Sequence, residues 1–104
     1  MNISEIIKEL NSKIKEKNLG FKGSYLYGSR AKGTYREDSD ADVILVFDKE
    51  LTRDEEVEIY DLLCDFDYKY NLIIMGLPYT MKELKKNYVF HDEVVNKGIY
   101  YDAA

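Results

Sequence analysis

Apolar residues at Ile3, Ile6, Ile7, Leu10 and Ile14 recur every three or four positions, the spacing that gathers them on one face of a helix. Asn2 with Glu5 three residues on has the form of a capping box, and Asn18-Leu19-Gly20 supplies a stop. The period then changes. Residues 22–28, KGSYLYG, form a short aromatic run between glycines and predict a strand that closes at Gly28. Residues 29–39 read as a loop. Residues 41–47, ADVILVF, are a nearly unbroken apolar run rich in β-branched side chains, the pattern of a strand covered on both faces.

A second helix is predicted from Thr52 to about Asp67, opened by a Thr52/Glu55 capping box, with Val57, Tyr60, Leu63, Cys64 and Asp67 turned inward. Residues 70–77, YNLIIMGL, predict another strand closed by Pro78. A short helical start over 80–86, a last helical turn, a stop at Gly98 and an extended end complete the chain. This order predicts an α+β fold, an α/β sandwich in which flanking helices cover a small mixed sheet. The length, 104 residues, suits one domain spanning 1–104 and one modest core.

Charge narrows the function classes. A net charge of −5 argues against direct nucleic-acid binding, because phosphate neutralisation needs clustered lysine and arginine. A local basic pocket remains possible. No apolar stretch reaches the ~20 residues of a membrane span, the N-terminus lacks a signal-peptide core, and the lone Cys64 has no internal disulfide partner. These features predict a soluble protein of the reducing cytoplasm. Cys64 reads as a small core residue, and the only histidine, His91, as a surface or helix-end residue without a second ligand at metal spacing. Most of the ten tyrosines fall in strand or helix patterns and read as packing. Tyr100 and Tyr101, near the end, are candidates to cover a ligand or touch a partner.

The chemistry concentrates in residues 26–47, LYGSRAKGTYREDSDADVILVF. Residues i and i+2 of a strand share a face, so Asp40 and Asp42 place two carboxylates side by side. Two such groups ask for a cation, and Mg²⁺ takes oxygen ligands from one or two carboxylates together with a substrate phosphate. Gly28 and Ser29 offer the matching anion site: a glycine at a strand end lets backbone N–H groups approach a phosphate, and the serine hydroxyl can donate. Arg30 and Lys32 add positive charge. Asp-Ser-Asp alone is a common turn. Its conjunction with strand, Gly-Ser, basic loop and buried strand, in that order, points to a nucleotide site.

The stretch YGSRAKGTYREDSDADVILVF resembles the signature of the minimal nucleotidyltransferases of the DNA polymerase beta superfamily. That signature is a hydrophobic residue, Gly-Ser, about ten residues, and Asp-hydrophobic-Asp-hydrophobic. NLIIMGLPYTMKEL and FHDEVVNKGIYY are similar to the closing strand and end of the small antitoxin members, so the resemblance covers nearly the whole chain. It implies that Gly28, Ser29, Arg30 and Lys32 bind the triphosphate of ATP or another nucleotide. It also implies that Asp40 and Asp42 are the catalytic, Mg²⁺-binding carboxylates, two ions being expected with bound nucleotide. The acceptor would be another protein, a helical HEPN-type RNase toxin that this chain neutralises by transferring AMP. A third carboxylate is expected on the next strand. Asn71 is expected at that position, an amide that can ligate a metal and cannot take up a proton, and Asp67 lies just before it. A second function class therefore stands beside the first: an antitoxin that neutralises by binding alone.

Overall fold

The structure, a computed structural model, describes residues 2–33 and 39–104. In chain order it holds α1 (Ile3–Lys15), β1 (Phe21–Tyr27), α2 (Ser29–Lys32), β2 (Ala41–Phe47), α3 (Arg53–Tyr70), β3 (Ile74–Thr80), α4 (Met81–Lys85) and α5 (Tyr88–His91). A π-helical turn (Asp92–Asn96) and β4 (Ile99–Asp102) follow. The described strands form one sheet in the order β3-β2-β1-β4. β1 runs antiparallel to β2 and β4, while β2 and β3 are parallel, joined by α3. The mixed sheet with flanking helices is the α+β arrangement that the element order predicts.

α1 and α3 cover one face of the sheet. Ile6, Ile7, Leu10 and Ile14 of α1 and Ile59, Leu63 and Phe66 of α3 pack with Leu26, Ala41, Val43, Leu45 and Phe47. On the other face Ile44 and Val46 meet Leu84 and Val94, with Tyr25, Tyr27, Tyr79 and Phe90 around them. β2 is thus buried on both sides, as its continuous apolar run requires. Both expected capping boxes form, Asn2 with Glu5 and Thr52 with Glu55, and a third opens α4 between Thr80 and Glu83.

Three expectations are corrected. The inner face of α3 is set by Ile59, Leu63 and Phe66; Val57 and Tyr60 are 49% and 40% exposed and Cys64 lies in solvent. Leu63 belongs to either phase of that helix, and the larger apolar side chains Ile59 and Phe66 win the sheet over Val57 and Cys64, since burial scales with apolar area. The third strand begins at Ile74, because α3 runs on to Tyr70 and ends in a left-handed cap at Asn71 (φ 49°), and it passes through Pro78, whose missing N–H falls on the open edge, to end at Thr80. Within the expected loop 29–39, Ser29–Lys32 form a helical turn; residues 34–38 of that loop lie outside the described residues.

β3 is an edge strand, and its open side is closed in part by side chains. Ala41 N donates to the Ile73 carbonyl at 2.9 Å, so by the alternation of the ladder the even-numbered residues of β3 turn their backbone groups outward. Ile74 N donates to Asp67 Oδ1 at 2.8 Å, Pro78 carries no N–H, and Thr80 N donates to Glu83 Oε1 at 3.0 Å. Such an edge offers little to a further strand.

Candidate nucleotide site

The site forms where β1 ends and β2 begins. Antiparallel pairing sets Tyr27 opposite Asp42, so the residue after Tyr27 must turn away directly over that carboxylate. Gly28 makes the turn with φ 73° and ψ −150°, a region open essentially to glycine alone. A Cβ there would stand 2.8 Å from Asp42 Oδ2. Gly-Ser and Asp-x-Asp, ten residues apart in sequence, are therefore in contact through Gly28 and Asp42. Ser29 follows in the first helical position of α2, half-buried, with Lys32 N donating back to the Gly28 carbonyl at 3.2 Å.

The two basic residues have defined partners. Arg30 donates from Nε and Nη2 to the Ser39 carbonyl at 3.1 and 2.8 Å, clamping α2 to the residue that precedes Asp40. Lys32 Nζ lies 2.6 Å from Glu93 Oε1 in the π turn. Arg30 thus has a bracing role that its charge alone did not announce, and Glu93 carries no sequence signal of its own.

Asp40 is exposed at the entrance of β2 and Asp42 is half-buried behind it. Burial, and secondarily the Asp40 charge, pushes the Asp42 carboxyl above its ordinary value. Burial likewise raises the Tyr27 phenol, reinforced by Asp42 and then Tyr79. Among the described residues no lysine or arginine forms an ion pair with Asp40 or Asp42. Two carboxylates that repel each other, one partly desolvated, beside a glycine turn suit a hard divalent cation that keeps waters and shares itself with a phosphate. No group of three or more His, Cys, Asp or Glu side chains at metal-binding distance occurs among the described residues. Among the described residues, Asp40 and Asp42 are the carboxylates that the start of β2 brings beside the glycine turn.

Neither residue considered for a third carboxylate stands on the strand beside Asp42. Asn71 is exposed at the α3 cap, three positions ahead of β3. Asp67 sits in the last turn of α3, its Oδ1 held by Ile74 N. Its carboxyl is pushed up by burial and by Asp40, against the opposing pull of that N–H. The β3 residue in register with Asp42 is Met75, 48% exposed, in a same-face row with Ile73 and Leu77. His91 lies half-buried in α5. Tyr100 does not reach the site: its ring packs on Tyr25 and its hydroxyl donates to the Lys22 carbonyl at 2.9 Å, at the other end of β1. Tyr101 is half-buried against the α1 side of the sheet.

Residues 5–100 match the polymerase beta nucleotidyltransferase family. The chain belongs to that family. A provisionally assigned protein adenylyltransferase of Methanocaldococcus jannaschii, MJ0141, is 34% identical over 103 residues, covering 95% of this chain and 98% of its own. Two solved structures share the fold. A toxin-antitoxin crystallised with AMP-PNP superposes with TM-score 0.61 at 17% identity, over 93% of this chain and 72% of its own. A Shewanella oneidensis complex of a tri-AMPylated HEPN toxin with its MNT antitoxin gives TM-score 0.51 at 16% identity, over 93% and 71%. In this family member no helix of the described residues is long and apolar enough to cross a membrane.

Proposed function

We propose that this chain is a Mg²⁺-dependent nucleotidyltransferase that moves a nucleoside monophosphate, AMP from ATP, onto a hydroxyl of a partner protein, and that the partner is a helical HEPN-type toxin which the transfer neutralises. The observation that carries the reading is the close approach of Gly28 to Asp42, which sets a glycine turn against a carboxylate pair. Gly28 and Ser29 would receive the triphosphate, Lys32 would add a mobile positive charge, and Arg30 would keep the basic turn fixed to the start of β2. Asp40 and Asp42 would hold two Mg²⁺ ions, whose charge stabilises the phosphates during in-line displacement at the α-phosphorus. The relatives support the chemistry and the partner class: one carries a protein adenylyltransferase assignment, and one structure pairs an MNT antitoxin with an AMPylated HEPN toxin.

A second reading has its own observation. Met75, in register with Asp42, places a thioether beside that carboxylate on the strand where a third acid is expected and none stands, and the exposed apolar row Ile73, Met75 and Leu77 suits an antitoxin that neutralises by covering its target. Calorimetric titration of ATP with and without Mg²⁺, followed by incubation with labelled ATP and a HEPN-type toxin as acceptor, separates the two. The transferase reading expects Mg²⁺-dependent binding and labelled toxin, both lost in the Asp40→Ala, Asp42→Ala double variant. Full neutralisation by that variant would overturn it in favour of binding alone.

A further inference from the structure

Lys32 is engaged within the fold, and its partner Glu93 has a second cation beside it. Glu93 Oε1 lies 2.6 Å from Lys32 Nζ, while Glu93 Oε2 lies 3.7 Å from Lys97 Nζ, which also reaches Asp92 Oδ2 at 3.6 Å. Two lysines and two carboxylates form one balanced cluster. If Lys32 leaves it, Glu93 keeps Lys97 and no carboxylate is stranded without a cation, the circumstance that makes breaking an ion pair costly.

The arm bearing Glu93 is fixed to β1, the strand that ends just before Gly28. Val94, next in sequence, is fully buried with Ile44 and Val46. A Cβ on Gly98 would lie 2.2 Å from the Val94 carbonyl and 2.8 Å from that of Leu26, so the backbone leaving the π turn presses on β1. Phe90 meets the Tyr27 ring edge-on, with centroids 5.6 Å apart at 90°. Glu93 is therefore anchored, whereas Lys32, half exposed on a flexible four-carbon stem, can swing. π turns inserted in helices recur at functional sites.

We propose that Glu93 is a positioning residue that latches Lys32 away from the phosphate turn and is displaced by the triphosphate itself, so that nucleotide affinity is set by competition between a carboxylate and a polyphosphate for one ammonium. This rests on the reading that Gly28, Ser29 and Lys32 receive a nucleoside triphosphate. An anion of higher charge competes better for Lys32, so the latch favours the triphosphate over monophosphate ligands.

The test is calorimetric titration of ATP with Mg²⁺ into the wild type, Glu93→Gln, Lys32→Met and the double variant, each checked for folding by thermal melting. Glu93→Gln should bind about two- to fivefold more tightly, the range for release of one partly exposed ion pair, and the gain should vanish when Lys32 is also replaced. A gain of equal size with and without Lys32 would make Glu93 a generic repulsive charge and overturn the latch. So would no gain at all, while the nucleotide reading stands if the wild type binds ATP through Asp40 and Asp42. Absence of ATP binding by the wild type overturns both.

Discussion

At the scale of single residues, Gly28 concentrates the largest consequence in the smallest side chain. Its dihedral angles lie where other residues are strained by about 1–3 kcal/mol, and a methyl group would meet Asp42 Oδ2 at 2.8 Å. Gly28→Ala should lower the melting temperature and weaken Mg²⁺-ATP binding by about tenfold, the larger share of the effect being local displacement of Asp42; calorimetry beside a melt reads both. The two basic residues of the same turn, which look equivalent in sequence, divide the work. Arg30 has a planar fork that suits a carbonyl, and it braces Ser39, while Lys32 remains a single movable charge. That division was illegible beforehand, because it depends on which groups the fold brings within reach.

Asp67 belongs to the scale of elements. Its carboxylate ties the last turn of α3 to the outward-facing N–H that opens β3, and thereby closes part of an exposed sheet edge. Asparagine retains the accepting oxygen and removes the charge that Asp40 opposes. Asp67→Asn should therefore preserve both melting temperature and transfer activity, whereas Asp67→Ala should cost about 1–3 kcal/mol by leaving a donor unpaired. A loss of activity in the asparagine variant with stability intact would identify Asp67 as a working acid or base. The Asn2/Glu5 and Thr52/Glu55 capping boxes were legible at this scale, since a capping box is a matter of residues three apart, whereas the Asn71 cap that ends α3 was not. The inward face of α3 was not, because two phases share Leu63 and only the sheet beneath chooses between them.

Across the whole molecule, α1 and α3 are neighbours on one face of the sheet and are tied at their polar margin. Glu9 accepts from Lys69 Nζ at 2.8 Å and from the Tyr70 hydroxyl. The hydrogen bond from Lys69, and next that from Tyr70, holds the Glu9 carboxyl below its ordinary value of 4.5. A lowered carboxyl adds stability above its unfolded value, and the addition disappears as pH falls through the folded value. Wild type should thus melt above Glu9→Gln at pH 7, with the gap narrowing below about pH 4.5 and closing in stronger acid. A gap that is constant with pH would show that Glu9 acts through packing. On the same face of the sheet, Ser24 donates to Asn11 Oδ1 and Asn11 Nδ2 donates to the Tyr101 carbonyl at 3.0 Å. These bonds bind α1, β1 and β4 through one buried amide.

What the sequence determined by itself is everything governed by neighbours a few positions apart. This covers the periods of α1 and β2, the capping boxes, and the order in which Gly-Ser, a basic loop and Asp-x-Asp meet a buried strand. It also carried enough to imply the family, because the motif is contiguous. Only the tertiary structure decided that Gly28 touches Asp42, that Met75 rather than Asn71 stands beside that carboxylate, and that Lys32 is claimed by Glu93. It likewise decided that Tyr100 turns away from the site. Each of these depends on register or approach between segments distant in sequence. Such contacts are selected by the shared burial of both faces of one sheet, a property of the assembled chain that no local window contains.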